Sequence, residues 1–133
     1  MAEFTARHLP EDLVPYWDYD SPHIPNTYRD SSAAAVTVCG LLELAAVNNE
    51  GASRWAGLAE RILISLCENY LIRDATGPSS ILREGARSVP ANLMEHGLIY
   101  GDYYFLEALT AFTRPDIHKR ASAVESALSG TSK

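Results

Sequence analysis

Arg29-Asp-Ser-Ser-Ala-Ala-Ala-Val-Thr-Val-Cys-Gly-Leu-Leu-Glu-Leu-Ala-Ala-Val47 decides how this chain folds. Asp30, Ser31 and Ser32 carry short oxygen-bearing side chains, which satisfy the free backbone N–H groups of a starting helix. Beyond them Ala34, Val38, Leu41, Leu42 and Ala45 fall at i, i+4, i+7, i+8 and i+11, so they share one helical face. Small residues around Gly40 keep that face smooth and let a neighbouring helix come close. Asn48-Asn49-Glu50-Gly51 ends the helix as a turn.

Reading forward, the 3.6-residue period predicts a second helix from about Ser53 to Ile72, with Trp55, Leu58, Ala59, Ile62, Leu66 and Tyr70 inward. Arg54, Glu60, Arg61 and Glu68 mark its polar side. Two helices joined by so few residues form an antiparallel αα-hairpin, the repeating unit of helical barrels and solenoids. Asp74–Ser80 is a turn around Gly77–Pro78. Residues 81–100 are irregular, broken by Gly85, Pro90 and Gly97, and connections of that length within a compact fold are often functional. A third helix starts at Gly101–Asp102 with the aspartate as its cap, shows Phe105, Ala108, Leu109 and Phe112 on one face, and stops at Arg114–Pro115. The tail from Asp116 is weakly helical and ends in polar residues that are expected to fray.

Reading backward, Pro10, Pro15, Pro22 and Pro25 allow no helix longer than a turn or two in the first thirty residues. Tyr16, Trp17, Tyr19 and Tyr28 lie there and need something to pack on. No useful β-alternation appears. The expected fold is all-α in three parts: a Pro/aromatic-rich loop over 1–30, a helical core over 31–113 and a polar tail over 114–133.

A chain of 133 residues with 47% hydrophobic and 9% aromatic content builds one packed core. Its net charge of −6 repels phosphate backbones and anionic lipid, so no nucleic acid and no membrane surface is expected as partner. Apolar runs such as Ala33–Gly40 and Ile62–Leu66 fall far short of the roughly 20 residues that cross a bilayer. Met1–Arg7 lacks the pattern of a secretory signal, which favours a cytoplasmic setting. Cys39 and Cys67 sit in apolar helical stretches and read as reduced core residues.

Three stretches together resemble the C-terminal part of unsaturated glucuronyl hydrolases, glycoside hydrolase family 88, and their rhamnogalacturonyl relatives of family 105. They are Val14-Pro-Tyr-Trp-Asp-Tyr-Asp20, Arg29-Asp-Ser-Ser-Ala-Ala-Ala-Val36 running into Gly40-Leu-Leu-Glu-Leu44, and Tyr100-Gly-Asp-Tyr-Tyr-Phe-Leu-Glu-Ala-Leu109. The resemblance implies an (α/α)6 barrel, a six-hairpin toroid, of which part is present. It implies removal of an unsaturated uronic acid from oligosaccharides by hydration of the sugar double bond, with an aspartate as general acid/base, a second aspartate nearby, and neither metal nor other cofactor. Those two aspartates lie upstream of anything that aligns with this sequence. No catalytic residue is therefore assigned, and Asp18, Asp20, Asp30 and Asp102 belong to other motifs. The Ser/Lys sulfate-reading pattern of some members is not matched by Arg87-Ser-Val-Pro-Ala-Asn92.

Three residues are candidates for sugar contact. Trp17, with Tyr16 and Tyr19, offers flat rings that stack on a pyranose face, or alternatively plugs a gap between helices. Arg29 has a planar fork suited to a uronate carboxylate, though a structural pair with Asp18 or Asp20 comes first. Of Tyr103 and Tyr104, at most one points at a cavity. Glu43 and Glu107 are each single and mid-helix, unlike the paired carboxyls of glycosidic chemistry about 5–9.5 Å apart. His8, His23, His96 and His118 lack metal-site spacing, and the adjacent Glu95 and His96 do not share a face. The expected function is that of a hydrolase portion inactive alone, with an unsaturated uronic-acid oligosaccharide as possible partner and either self-association or a missing barrel half covering its apolar surface. The alternative is a non-catalytic helical module that binds an oligosaccharide or a protein.

Overall fold

The computed structural model describes residues 1–74, 80–86 and 97–116. Among these described residues four α-helices are delimited: α1 (Ala2–His8), α2 (Ser31–Val47), α3 (Ala52–Ser65) and α4 (Ile99–Thr113). Among the described residues the remaining pairing consists of two isolated antiparallel bridges, Tyr16 with Arg29 and Leu71 with Leu82.

Helix α1 ends where Leu9 takes an extended conformation, φ −64° and ψ 133°, as the residue before Pro10 must. The helix is anchored by its rings and by one ion pair. Phe4 stacks on His8 with centroids 4.0 Å apart, and Tyr19 meets both edge-on. Glu3 and Arg54 form a two-pronged ion pair that ties α1 to α3.

Helix α2 begins as its sequence requires. The Asp30 carboxylate accepts the backbone N–H groups of Ser32 at 3.0 Å and Ala33 at 3.2 Å, and also the Ser32 hydroxyl. The helix packs against both α3 and α4, whereas those two touch each other far less. Central placement explains why α2 is apolar on more than one side: Ala34, Ala35, Val38 and Leu41 are buried, and Cys39, Leu42 and Ala45 are partly so.

Helix α3 has the clearest two-sided pattern. Trp55, Leu58, Ala59, Ile62, Leu66 and Tyr70 are all buried, while Arg54, Glu60, Arg61 and Glu68 are exposed. The expected helix to Ile72 is not α-helical throughout. It stops at Ser65 and continues as a π-helical turn, Leu66–Tyr70, before Leu71 turns extended. The wider turn keeps Leu66 and Tyr70 inward and brings the Ser65 hydroxyl to the Asp12 carbonyl and the Tyr70 hydroxyl to the Asp12 carboxylate, at 2.7 Å for the latter.

Helix α4 departs from the sequence reading at its start. It begins at Ile99, its N-cap is Leu98, and no side chain caps it; Asp102 lies within the first turn. Gly101 is where α4 crosses α2, since a Cβ added there would lie 2.8 Å from the Ser32 Cβ. Phe105, 1% exposed, and Ala108 enter the core beside Ile62, Leu66, Val14 and Val38, whereas Phe112 is 37% exposed. No described helix is long and apolar enough to cross a membrane. Arg87–Asn92, Glu95–His96 and most of the tail, from residue 117 on, lie outside the described residues.

Candidate functional site

The starts of α2 and α4 converge on one extended ribbon, Ile81–Ala86. Asp102 accepts the backbone N–H groups of Ile81 at 3.0 Å and Leu82 at 3.1 Å. From α2, the Ser31 hydroxyl donates to the Arg83 carbonyl at 2.7 Å, and the Ser31 N–H donates to the Glu84 carbonyl at 3.0 Å. The Ala86 N–H reaches the Asp30 carboxylate at 3.4 Å. Two aspartates and a serine thus brace a strand-like segment that is also paired with Tyr70–Ile72, through the Ile72 N–H to the Ile81 carbonyl at 2.9 Å and the Arg83 N–H to the Tyr70 carbonyl at 3.0 Å. Glu84 takes φ 61°, the left-handed region, which is uncommon for a residue with a Cβ.

Beside this ribbon lies a polar cleft of about 430 Å³, lined by Pro25, Asn26, Thr27, Tyr28, Arg29 and Glu84. Arg29 is at its edge but is heavily engaged. Its guanidinium pairs with Asp12 at 3.0 Å, donates to the Val14 carbonyl at 2.7 Å and stacks over the Tyr16 ring at 4.1 Å. The expected pairing with Asp18 or Asp20 is therefore not the one formed. Asp18 instead accepts the Asp20 N–H at 2.9 Å in its own local turn, and Asp20 is exposed. Asp12, unremarked in the sequence, is the acidic centre of this region: it holds Arg29 and Tyr70 together. Only its place in a short Pro-flanked loop could have marked it. Burial, then the hydrogen bond to Asp12, pushes the Tyr70 hydroxyl well above the usual tyrosine range.

Trp17 lies on the same loop. Its indole N–H donates to the Thr27 hydroxyl at 3.1 Å and its backbone N–H to the Tyr28 carbonyl, so its ring is half-buried over the 15–30 loop. Trp17 and Arg29 therefore belong to one unit, through the bridge of Tyr16 with Arg29. Tyr103 belongs to another. It sits on α4, 57% exposed, with its ring edge-on to Tyr104 at 5.2 Å.

Tyr104 turns the other way, into an apolar cleft of about 280 Å³ between α2 and α4. Val36, Cys39 and Gly40 line its α2 wall, with Glu43 and Glu107 facing it from the two helices. Read singly in the sequence, these glutamates share one cavity in the fold. The helix-crossing register that brings them together is set by Gly101 against Ser32, which no local pattern announces. Burial, reinforced by the Glu107 and Glu43 charges, pushes the Cys39 thiol up to about 12, and its Sγ lies 3.3 Å from the Tyr104 carbonyl. Cys39 and Cys67 are both free and half-buried.

Each described aspartate of the family-like motifs is thus occupied structurally or exposed. Asp30 caps α2, Asp102 grips the ribbon, and Asp18 closes a turn. Nothing in this arrangement pairs two of them across a cavity.

No protein-family model matches the chain. An unsaturated glucuronyl hydrolase from Bacillus sp. (strain GL1) is 38% identical over 118 residues, which is 86% of this chain and 31% of that protein. The crystal structure of a Bacillus sp. GL1 unsaturated glucuronyl hydrolase, responsible for the degradation of glycosaminoglycan, superposes with a TM-score of 0.79 at 36% identity, over 86% of this chain and 31% of that one. A Streptococcus agalactiae unsaturated glucuronyl hydrolase variant complexed with dGlcA-GalNAc6S gives a TM-score of 0.78 at 30% identity, over 86% of this chain and 31% of that one. The helices match part of the (α/α)6-barrel fold of those enzymes. In sequence and in fold this chain is a homologue of the unsaturated glucuronyl hydrolases that spans about 30% of their length.

Proposed function

We propose that the chain is the C-terminal sector of a glycoside hydrolase acting on unsaturated uronic-acid oligosaccharides, inactive by itself because the acid/base aspartates belong to the part of the barrel it does not contain. The observation that supports this best is the joint match in sequence and fold over 86% of this chain but 31% of the relative. Every described aspartate of its motifs has a local structural task or faces water, which leaves none poised as a proton donor inside a cavity.

In this reading the Trp17 and Arg29 loop and the Tyr103 surface contribute contacts to the sugar rather than chemistry. Trp17 supplies a stacking face, and Tyr103 an exposed phenol. Arg29 acts on the sugar at second hand, because one guanidinium nitrogen serves both Asp12 and Val14 while the plane lies on Tyr16; it holds the cleft wall in place.

The test is an absorbance assay on an unsaturated glucuronyl disaccharide, following loss of the double bond, with calorimetry on the same sugar. The chain alone should show no turnover. Co-expressed with the remaining sector of the Bacillus sp. (strain GL1) enzyme, it should restore turnover. Turnover by the chain alone would sink the claim that its acid residue is elsewhere, and binding without turnover in either setting would favour a carbohydrate-binding module instead.

A further inference from the structure

Among the described residues, helix α4 has a companion on one side only. Its Gly101 meets Ser32 of α2 and its Ala108 is buried, whereas Ile99, Tyr103, Leu106, Thr110 and Thr113 follow one another at i, i+4, i+7, i+11 and i+14 along the opposite side. Ile99 is 88% exposed there, Tyr103 57% and Leu106 50%. The two threonines do not make this stripe polar. Each hydroxyl donates back to a carbonyl of its own helix, Thr110 to Leu106 at 2.8 Å and Thr113 to Leu109 at 2.7 Å, which leaves the γ-methyl for a neighbour. The acids of α4 are also turned elsewhere, Asp102 to the ribbon and Glu107 to the α2–α4 cleft. About four turns of helix thus present a side without a charge, the mark of a surface that is covered rather than left in water.

The packing order around α4 says what belongs on that side. Helices α2 and α4 both begin at the Ile81–Ala86 ribbon and lie side by side, while α3 runs back along α2 and touches α4 far less. Two neighbours in one layer, backed by a second layer, is the local arrangement of an (α/α)6 barrel, in which each helix has a companion in its own layer on both sides. For α4 the first companion is α2. The relatives are about three times as long as the stretch matched here, so most helices of that layer have no counterpart in the match.

We infer that the Ile99, Tyr103, Leu106, Thr110 and Thr113 side of α4 is the seam at which this chain joins the remaining barrel sector, and that its occupant is one helix of the same layer, starting at the ribbon end as α2 and α4 do and bringing an uncharged face. The inference rests on the reading of the chain as a barrel sector. It adds which surface is joined, in which direction the joining helix runs and what chemistry selects it. A charge set on this seam would be buried without a partner, whichever its sign.

The experiment is capture of this chain by the tagged remaining sector of the Bacillus sp. (strain GL1) enzyme on co-expression, with the urea midpoint and oligomeric state of the chain alone measured in parallel. Leu106→Lys and Ile99→Glu change exposed positions, so both should leave the midpoint unchanged yet cut capture at least tenfold. Leu106→Met keeps the seam apolar and should preserve capture, as should Glu60→Lys on the solvent side of α3. Capture of both charged seam variants equal to that of the native chain overturns the seam and leaves the barrel-sector reading standing. Capture that rises at least tenfold when the chain is ended at Asp116 overturns it in favour of residues 117–133 as the cover. A homodimer of the chain alone that Leu106→Lys dissolves and the sector does not displace overturns it in favour of a second copy. Failure of the native chain to be captured at all overturns the seam together with the barrel-sector reading.

Discussion

The carboxylate of Asp102 accepts the backbone N–H of Leu82 at 3.1 Å, and with its other oxygen the N–H of Ile81, across about 20 positions of sequence. A carboxylate used in this way accepts the N–H groups that the ribbon's pairing with Tyr70–Ile72 leaves over. It joins the first turn of α4 to a ribbon that α2 grips from its other side through Ser31 and Asp30.

Asp102→Ala should therefore destabilise the chain by about 2 kcal/mol, because two partly buried N–H groups lose their acceptor. Asp102→Asn keeps one acceptor oxygen and should cost roughly half as much. Urea unfolding of both variants checks this. Equal midpoints for Asp102→Ala and the native chain would show that water replaces the carboxylate without loss.

Arg29 should behave as a shape-dependent group rather than as a charge. Arg29→Lys keeps one donor nitrogen for Asp12 and Val14 but loses the planar stack on Tyr16, so it should lose part of the about 1–3 kcal/mol lost by Arg29→Ala. A double-mutant cycle with Asp12→Ala should show coupling between the two. Full stability in Arg29→Lys would mean that charge alone suffices.

Gly101 of α4 and Gly40 of α2 should respond in opposite directions. Gly101→Ala places a methyl 2.8 Å from the Ser32 Cβ and should cost about 1–3 kcal/mol as α2 and α4 are forced apart. Gly40→Ala meets nothing within 4 Å and should gain about 0.5–1 kcal/mol in helix preference. Thermal melts of the pair separate packing from backbone entropy.

Stability should fall at alkaline pH in a defined order. Cys39 is raised from an ordinary 9.0 to about 12 by burial and by Glu107 and Glu43, and Tyr70 is raised from 10.0 by burial and by Asp12. In both cases the unfolded chain releases its proton first, so the native state holds more protons above the ordinary values. The contribution is intact below pH 9, declines first through Cys39 and then, from pH 10, through Tyr70 as well. Cys39→Ala should flatten the slope between pH 9 and 10, and Tyr70→Phe should flatten part of it above 10. Urea midpoints measured across that range would refute the assignment if the variants kept the native slope.

Much of the helical framework was legible because it depends on local chemistry. The Asp30 cap, the inward period of α3 and the proline-limited N-terminal segment each follow from neighbouring residues, and each appears where the pattern put it. Asp102 was misread because an acidic residue in a first turn looks like a cap, while its real partners, Ile81 and Leu82, are distant in sequence. The π-helical turn after Ser65 was hidden for a related reason: Leu66 and Tyr70 keep the i, i+4 spacing of an ordinary helix, and Asp12 decides the geometry from outside. Glu84 at φ 61° carries no glycine-like signal. The shared cleft of Glu43 and Glu107 required knowing where two helices cross, which is a property of Gly101 and Ser32 together.

Because α2 lies between α3 and α4 and presents its third side, at Val36 and Gly40, to the α2–α4 cleft, it has few outward positions where substitution is without consequence. Mutational drift should concentrate on the solvent side of α3, at Glu60 and Arg61, and at Glu68 in the turn that follows, while the buried positions of α2 change slowest. A saturation library scored for soluble expression would show that unevenness as depletion at Ser31, Ser32, Ala34, Ala35, Val38 and Leu41, with Gly40 tolerant, beside a permissive solvent side on α3.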